Sequence, residues 1–211
     1  MEQSGFSDEF RFELDRLIRL RRDVRRFRSD PVCPELLDKC LNTFACAPSV
    51  GLSEPWRVVN VVSESARNAV LENFLQANAE ALDGYSGEKA ELYAGLKLSG
   101  MREAPVQLAI FSDGATEKGA GLGAGSMPEM RAYSVVAAVT QFWLAARAEG
   151  LGVGWVSILD PKSLSASLEI PDNWALVAYL CVGWPEQEGE QPELEQAGWE
   201  RRRNAVPVEK R

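Results

Sequence analysis

The sequence predicts a single domain that combines helices with four short strands. Runs rich in apolar and β-branched residues alternate with longer segments of helical periodicity. No internal repeat or linker divides the 211 residues, and 45% of them are hydrophobic, which is enough for one substantial core. The segment 133–146 is apolar on nearly all sides. It therefore predicts a central helix that is buried on more than one side or shared with another subunit.

The N-terminal half begins with a strongly amphipathic helix at 7–20. Ser7 is its predicted N-cap. Its apolar face consists of Phe10, Leu14, Leu17 and Ile18. The elements that follow are a helix opened by Pro34, a turn-rich segment at 47–56, a buried strand at 57–62, a helix at 64–80 and an exposed, mobile insertion at 81–103.

The C-terminal half is organised around the central helix. Ser126 and Glu129 have the spacing of a capping box, which predicts that this helix begins there and runs to Glu149, before Gly150. The glycine-rich loop at 119–125 lacks the spacing of a dinucleotide-binding turn. The remaining elements are a strand at 106–111, a strand at 151–159, a helix at 161–168, a strand at 174–183 and an extended arm at 184–211.

Charge and cysteine content exclude several classes of function. The net charge of −8 argues against a protein that binds nucleic acid or an anionic membrane. The four cysteines lack the spacing of metal ligands and the chain has no histidine, so we expect no metal site and buried thiols in a reducing compartment. No signal peptide or membrane-spanning run is visible, which predicts a cytoplasmic protein.

The stretch Arg21–Phe27 is the most informative part of the sequence. It holds four arginines around a single aspartate, directly after the first helix. If the stretch is extended, Arg21, Asp23 and Arg25 point to the same side. The arginines could then hold a phosphate group through bidentate hydrogen bonds. The alternative is a charged helix end that binds nothing.

Several segments together resemble the nitroreductase-like flavoprotein family, over nearly the whole chain. Arg21–Phe27 is similar to the family's opening signature, with Asp23 where serine is usual. Ala47–Trp56 is similar to an A-P-S-x-x-N-x-Q-P-W motif, with Leu52 and Glu54 in place of the two amides. The other matching segments are Gly150–Gly152, Gly183–Pro185 and the basic cluster Arg201–Arg203.

This resemblance implies an α+β fold of the nitroreductase type, with a central mixed or antiparallel sheet flanked by helices and a long central helix at a dimer interface. It also implies a homodimer with FMN held at the interface. The arginines would bind the phosphate and the ribityl chain, and the choice among the three C-terminal arginines stays open. The residues that the resemblance assigns to FMN are Arg21, Arg22, Val24, Arg25, Pro48, Ser49, Leu52, Gly152, Gly154, Arg201 and Arg202.

With these departures from the family pattern, the chain resembles one branch of the family, the branch that forms 5,6-dimethylbenzimidazole. In that branch reduced FMN is the substrate. The resemblance implies that it reacts with O2 through a flavin C4a-peroxide and is cleaved to 5,6-dimethylbenzimidazole, the lower ligand of vitamin B12, and erythrose 4-phosphate. A separate NAD(P)H-dependent flavin reductase would supply the reduced FMN. The insertion at 81–103 would be a lid that excludes water.

Two residues carry the chemistry in this interpretation. Asp23 is expected to act as a general acid or base near the ribityl chain. Ser157 is expected to lie near flavin N5 and to hydrogen-bond the peroxide. The structural alternatives are an ion pair between Asp23 and Arg25, and an ordinary buried serine hydroxyl. Two other functions stay open: an NAD(P)H-dependent nitroreductase or flavin reductase that recycles FMN, and a non-catalytic FMN carrier.

Overall fold

A computed structural model of the chain describes residues 5–203 and 205–211. Its centre is a four-stranded sheet in the order β1-β2-β4-β3, in which every neighbouring pair of strands is antiparallel. The antiparallel sheet flanked by helices confirms the predicted fold. The strands are β1 (Trp56–Asn60), β2 (Val106–Asp113), β3 (Gly152–Val156) and β4 (Trp174–Gly183).

Seven helices surround this sheet in the described residues. They are α1 (Asp8–Leu20), α2 (Pro34–Leu41), α3 (Glu64–Asp83), α4 (Glu88–Gly95), α5 (Met130–Ala148), α6 (Pro161–Ser167) and α7 (Glu193–Gln196). Short 3-10 turns at Asn42–Cys46 and Val50–Leu52 link α2 to β1. Over the part of the chain that the structure describes, none of the helices combines the length and apolarity needed to span a bilayer.

The core lies on both faces of the sheet because side chains alternate along each strand. On β2, Leu108 and Ile110 pack against α2 and α5, whereas Ala109 and Phe111 face α3 and α6. Strand β2 is buried along its whole length. Strand β1 is at the sheet edge and Val58 is 37% exposed, so the predicted buried strand is only partly buried.

Two apolar helix faces remain open in the single chain. Ser7 caps α1 by accepting a hydrogen bond from the Phe10 N–H, as predicted, yet α1 has no buried residue. Helix α5 buries Val135, Val139 and Phe142 on one face only, because Tyr133 and Val136 on the other side are exposed. The prediction of burial on more than one side is therefore wrong for one chain alone.

Helix α5 begins later than the capping-box spacing predicts. Residues 121–126 form turns instead, in which the Met127 N–H donates to the Gly123 carbonyl. The first helical residue is Met130, and Glu129 is the N-cap without a side-chain cap bond. These turns bond the Ser126 and Met127 N–H groups to the Gly123 carbonyl, and the capping box does not form.

The insertion at 81–103 is less exposed than predicted. Helix α3 continues to Asp83, and α4 supplies the next part. The Tyr93 hydroxyl donates to Asn78 on α3 at 2.8 Å, and the Tyr93 side chain is 6% exposed. Met101 belongs to the core beneath the sheet. These anchors tie the insertion to the domain.

The arm at 184–211 contains more structure than predicted. It pairs with the arginine stretch through a bridge between Phe27 and Pro185, and it forms the short helix α7. Beyond Glu200, the described residues are exposed and have no helix or strand.

The prediction that all four cysteines are buried is wrong for two of them. Cys40 and Cys181 are buried, whereas Cys33 and Cys46 are exposed. Cys33 immediately precedes α2, and Cys46 ends a 3-10 turn at the surface. Burial raises the pKa of Cys181 to about 12, so this thiol stays protonated and unreactive at neutral pH.

Candidate active site

The arginine stretch is attached to the free edge of the sheet. Asp23 forms a parallel bridge with Val153 on β3, where the Val24 N–H donates to the Val153 carbonyl at 3.0 Å. Further along, the Arg28 N–H donates to the Trp184 carbonyl at 2.8 Å. The stretch is therefore extended, as the alternation argument requires, and lies between β3 and the C-terminal arm.

Two glycines on β3 permit this close approach. A Cβ atom on Gly152 would lie 2.9 Å from Val24 Cγ2, and one on Gly154 would lie 2.1 Å from the Val24 carbonyl oxygen. In the structure, the Val24 side chain approaches Gly152 and the Val24 backbone approaches Gly154. A contact of Gly152 and Gly154 with FMN stays a prediction.

The Asp23 carboxylate is held by two hydrogen bonds. Its Oδ1 accepts from the Trp155 N–H at 2.7 Å, and its Oδ2 accepts from Arg25 Nε at 2.9 Å. The ion pair with Arg25, the structural alternative, is thus present. The Asp23 side chain is still 32% exposed, against 13% for Arg25. The carboxylate is fixed in orientation and keeps an accessible surface.

The arginines divide into two groups by their contacts. Arg25 also donates to the Lys97 carbonyl at 3.2 Å, and so joins Asp23 to the insertion. Arg22 donates through Nε to the Glu190 carbonyl at 2.5 Å. Arg21 lies instead over the ring of Trp143 on α5, 4.7 Å from its centroid, which leaves its N–H donors available.

Like charges gather around Arg21. Burial and then the charge of Arg202 lower the pKa of Arg21 and also that of Arg22. Three guanidinium groups that repel one another in a partly desolvated place form a good site for a dianion. Among the three C-terminal arginines, we therefore predict that Arg202 binds the phosphate.

A cleft of about 570 Å³ opens beside this cluster. The arginine stretch forms its floor, and the insertion and the arm form its two sides. Two of its acidic side chains have basic neighbours, since Glu188 pairs with Arg147 and Glu193 lies 3.8 Å from Arg26. Its lining residues include Arg22, Asp23, Val24, Arg25 and Lys97.

We expect Arg202→Ala to weaken FMN binding by roughly 10- to 100-fold, the value of one charge-assisted hydrogen bond. Riboflavin, which lacks the phosphate, should bind both proteins equally. Titration of the intrinsic flavin fluorescence measures both affinities. Arg203→Ala removes the same charge one residue further along the chain and is the matched control. Equal losses of FMN affinity in the two variants would show that Arg202 contributes no more to phosphate binding than Arg203.

The second predicted flavin segment is a strained turn before β1. The Ser49 hydroxyl accepts from the Glu54 N–H at 3.1 Å, and the Val50 N–H donates to Ser134 on α5 at 3.0 Å. Pro48 is exposed, and Leu52 is 72% exposed with a φ of 55°. This left-handed conformation suits asparagine, the residue of the related motif, better than leucine.

Leu52→Asn should therefore stabilise the protein. The side chain is exposed, so little apolar burial is lost, and relief of the left-handed strain should raise the free energy of unfolding by about 0.5–1 kcal/mol. Thermal denaturation without flavin measures the change. An unchanged or lower Tm would contradict this explanation of the turn.

Ser157 directly follows β3 and is exposed. The alternative of a buried hydroxyl is therefore wrong. The Asp23 carboxylate accepts from the Trp155 N–H, two residues before Ser157, so strand geometry places the two side chains roughly 7 Å apart along the same edge. A single ligand could therefore contact both.

The structure brings together only part of the predicted set. The arginine stretch, Gly152, Gly154 and Arg202 form one continuous region. The segment 48–52 lies before β1, at the opposite edge of the sheet from β3. The sequence analysis did not identify Trp143, which lies under Arg21, or Lys97, whose carbonyl accepts from Arg25. Trp56 and Trp155 pack against the core.

These features define a flavoprotein fold of known type, and the chain belongs to the nitroreductase family. The model of the Nitroreductase family matches residues 18–184, which include the arginine stretch and the whole sheet. The solved structure of iodotyrosine deiodinase bound to FMN and 3-iodo-L-tyrosine is similar, with a TM-score of 0.73, 24% identity, and coverage of 93% of this chain and 97% of that one. At this identity the likeness shows the fold alone.

Two curated relatives are much more similar in sequence. The 5,6-dimethylbenzimidazole synthase of Rhodospirillum rubrum is 52% identical over 198 residues, which cover 94% of each chain. That of Rhodobacter capsulatus is 46% identical over 196 residues, which cover 93% of this chain and 95% of the relative. The predicted family and branch are thereby confirmed.

Proposed function

We propose that this protein is a 5,6-dimethylbenzimidazole synthase, which uses O2 to cleave reduced FMN into 5,6-dimethylbenzimidazole and erythrose 4-phosphate. The observation that carries the proposal is the 52% identity with the Rhodospirillum rubrum synthase over 94% of both chains. The geometry of the arginine stretch supports it, because a carboxylate is held at the centre of a site suited to a phosphorylated ligand.

The residues present fit FMN. Arg21, Arg22 and Arg202 form a group of mutually repelling cations, and a phosphate dianion would relieve that repulsion. Arg25 and Val24 would adjoin the ribityl chain, since both line the cleft beside Asp23. When bound, reduced FMN supplies both the electrons for O2 and the carbon skeleton of the products.

Asp23 would act as the general acid or base. The Trp155 N–H and Arg25 hold its carboxylate in one orientation, and its exposed surface faces the cleft. It would accept or return a proton on the ribityl side, where bonds to carbon have to break. Ser157, whose hydroxyl is exposed beyond the end of β3, would donate a hydrogen bond at the ring end.

The second wall of the flavin site would come from a partner subunit. Segment 48–52 and the arginine stretch lie at opposite edges of the sheet. Ile18 and Tyr133 are 51% and 55% exposed, so apolar surface is available for a homodimer contact along α1 and α5. Pairing of two chains would bring Pro48, Ser49 and Leu52 of one toward the arginines of the other.

The insertion at 81–103 would serve as a lid. Its residues 95–97 line the cleft and Lys97 is bonded to Arg25, so it can shield the carboxylate from water. Reduced FMN would come from a separate NAD(P)H-dependent flavin reductase. Residues 1–211 would thus act as one catalytic domain whose lid and arm both close over the arginine stretch.

The function is tested by supplying the purified protein with reduced FMN in air and analysing the products by chromatography and mass spectrometry. Formation of 5,6-dimethylbenzimidazole supports the proposal. Rapid oxidation of NADPH with intact FMN would instead establish a flavin-recycling reductase. Intact FMN without NADPH oxidation would establish a flavin carrier.

A further inference from the structure

An aromatic clasp joins the C-terminal arm to the insertion. The Trp199 ring lies edge-on to Tyr85 at 5.5 Å and to Tyr93 at 6.1 Å, and the two tyrosines stack on each other at 4.9 Å. Lys89 lies over the Trp199 ring, 3.7 Å from its centroid, and donates to the Trp199 carbonyl at 3.0 Å. We call these four residues the Trp199 clasp. Edge-on aromatic contacts and cation–π contacts of this kind fix both the position and the orientation of the Trp199 ring.

The local backbone directs Trp199 onto α4. Helix α7 ends at Gln196, and Gly198 follows with a φ of 77°, which turns the chain sharply. The Trp199 N–H then donates back to the Leu194 carbonyl at 2.8 Å. The tryptophan is thus fixed by its own backbone and by its ring.

The clasp is the last fixed point before the basic cluster. Beyond it, the described residues 200–203 and 205–211 are exposed, and their hydrogen bonds are local, such as the one from the Arg201 N–H to the Glu200 carboxylate. Arg202 is three residues from Trp199, about 10 Å of extended chain. The arm also contacts the arginine stretch directly, because Arg22 Nε donates to the Glu190 carbonyl at 2.5 Å, and burial together with the charge of Arg202 lowers the pKa of Arg21 and of Arg22. The clasp therefore limits how far Arg202 can move from them.

The other side of the clasp leads to the carboxylate. Helix α4 carries Lys89 and Tyr93 and ends at Gly95, two residues before Lys97. The Lys97 carbonyl accepts from Arg25, which in turn holds Asp23. One cluster of side chains thus connects the phosphate end of the site to the lid.

We infer that Trp199 is a positioning residue: it holds Arg202 at the phosphate site and so makes the protein select FMN over flavins that lack a phosphate. This inference rests on the proposed function for the identity of the ligand. Trp199 itself need not touch the flavin. Its effect should pass through Arg202 alone.

The test is a double-mutant cycle on flavin affinity. We expect Trp199→Ala to weaken FMN binding at least 10-fold while riboflavin affinity stays within twofold of the parent. In an Arg202→Ala background, Trp199→Ala should cause no further loss of FMN affinity. Trp199→Phe, which keeps the edge contacts, should restore most of the FMN preference. The rate of backbone hydrogen exchange at 84–95 should rise in Trp199→Ala and stay at the parental level in Arg202→Ala.

A merely structural tryptophan gives a different pattern. Trp174 also lies beside an arginine, Arg57 at 5.7 Å, but is remote from the cluster, so Trp174→Ala should leave the ratio of the FMN and riboflavin affinities unchanged. Equal loss of both flavins in Trp199→Ala, or a full effect in the Arg202→Ala background, would overturn the inference. If Trp199→Ala does not fold, Lys89→Met supplies the same comparison. These are binding measurements, so a failure of the proposed synthase reaction would be seen separately, as absence of the benzimidazole.

Discussion

Asp23→Asn is expected to bind FMN with nearly parental affinity and to lose product formation by a factor of about 10² to 10⁴, the usual contribution of a general acid or base. Asparagine has the same shape and keeps a carbonyl oxygen to accept from the Trp155 N–H, so the arginine stretch should stay on β3. It cannot take up or release a proton at this position. The rate of 5,6-dimethylbenzimidazole formation and the FMN dissociation constant are to be measured on the same preparation.

The matched control for this variant is Asp30→Asn. Asp30 pairs with Arg28 at 2.8 Å, and both side chains are exposed. This substitution also removes an aspartate–arginine pair, just after the arginine stretch, and it should leave the product rate at the parental level. If Asp23→Asn forms product at the parental rate, or loses activity only in parallel with Tm and FMN affinity, then Asp23 is a structural ion-pair partner and not a catalytic residue.

Gly154→Ala is expected to displace the whole arginine stretch. The new Cβ would lie 2.1 Å from the Val24 carbonyl oxygen, and a backbone atom cannot rotate away. The edge bridge between Asp23 and Val153 should therefore open. Overpacking of this kind costs about 1–3 kcal/mol or more. We expect a Tm lower by roughly 5–10 °C and FMN binding weakened at least 10-fold, since Asp23 and Arg25 move together.

Gly114→Ala separates this clash from the general effect of adding a methyl group. Its Cβ would lie 3.3 Å from the Asn173 carbonyl oxygen, in an exposed turn after β2. A shift of a few tenths of an ångström accommodates it, so Tm and FMN affinity should stay near parental values. Parental FMN binding by Gly154→Ala would contradict the claim that β3 positions the phosphate site.

The sequence rules for helix starts were correct where a single residue determines where the helix begins. Ser7 begins α1, Pro34 begins α2 and Pro161 begins α6, because each satisfies or removes backbone donors at a helix start. The capping box at Ser126 failed because the glycines before it allow a series of turns that bond the Ser126 N–H, the donor that the Glu129 side chain would otherwise cap. The spacing of Ser126 and Glu129 alone does not indicate that these turns compete with the capping box.

The site was predictable only in part, for a similar reason. The Arg21–Phe27 stretch stands out in the sequence since an acid among four arginines needs a partner, and Arg25 is that partner. Nothing local indicates that Trp155 donates its N–H to Asp23 from 132 residues away. Likewise, the choice of Arg202 and the clasp at Trp199 depend on where the arm returns to the domain, which only the tertiary structure defines.

The burial errors have a physical cause as well. The apolar face of α1 follows the helical period and α5 is apolar on nearly all sides, and both patterns predict contact without identifying the partner. In the single chain Leu14 is 42% exposed and Tyr133 is 55% exposed. We propose that a second subunit covers them, which reconciles the pattern with the structure.

The most direct test of the proposed reaction is a mass balance for a single turnover. FMN reduced in the absence of NAD(P)H is mixed with excess protein and air, and the FMN lost and the 5,6-dimethylbenzimidazole formed are both quantified. We expect about one benzimidazole for each FMN consumed by the parent protein, and intact, reoxidised FMN with Asp23→Asn. Full recovery of FMN from the parent protein, with the electrons found in hydrogen peroxide, would contradict it.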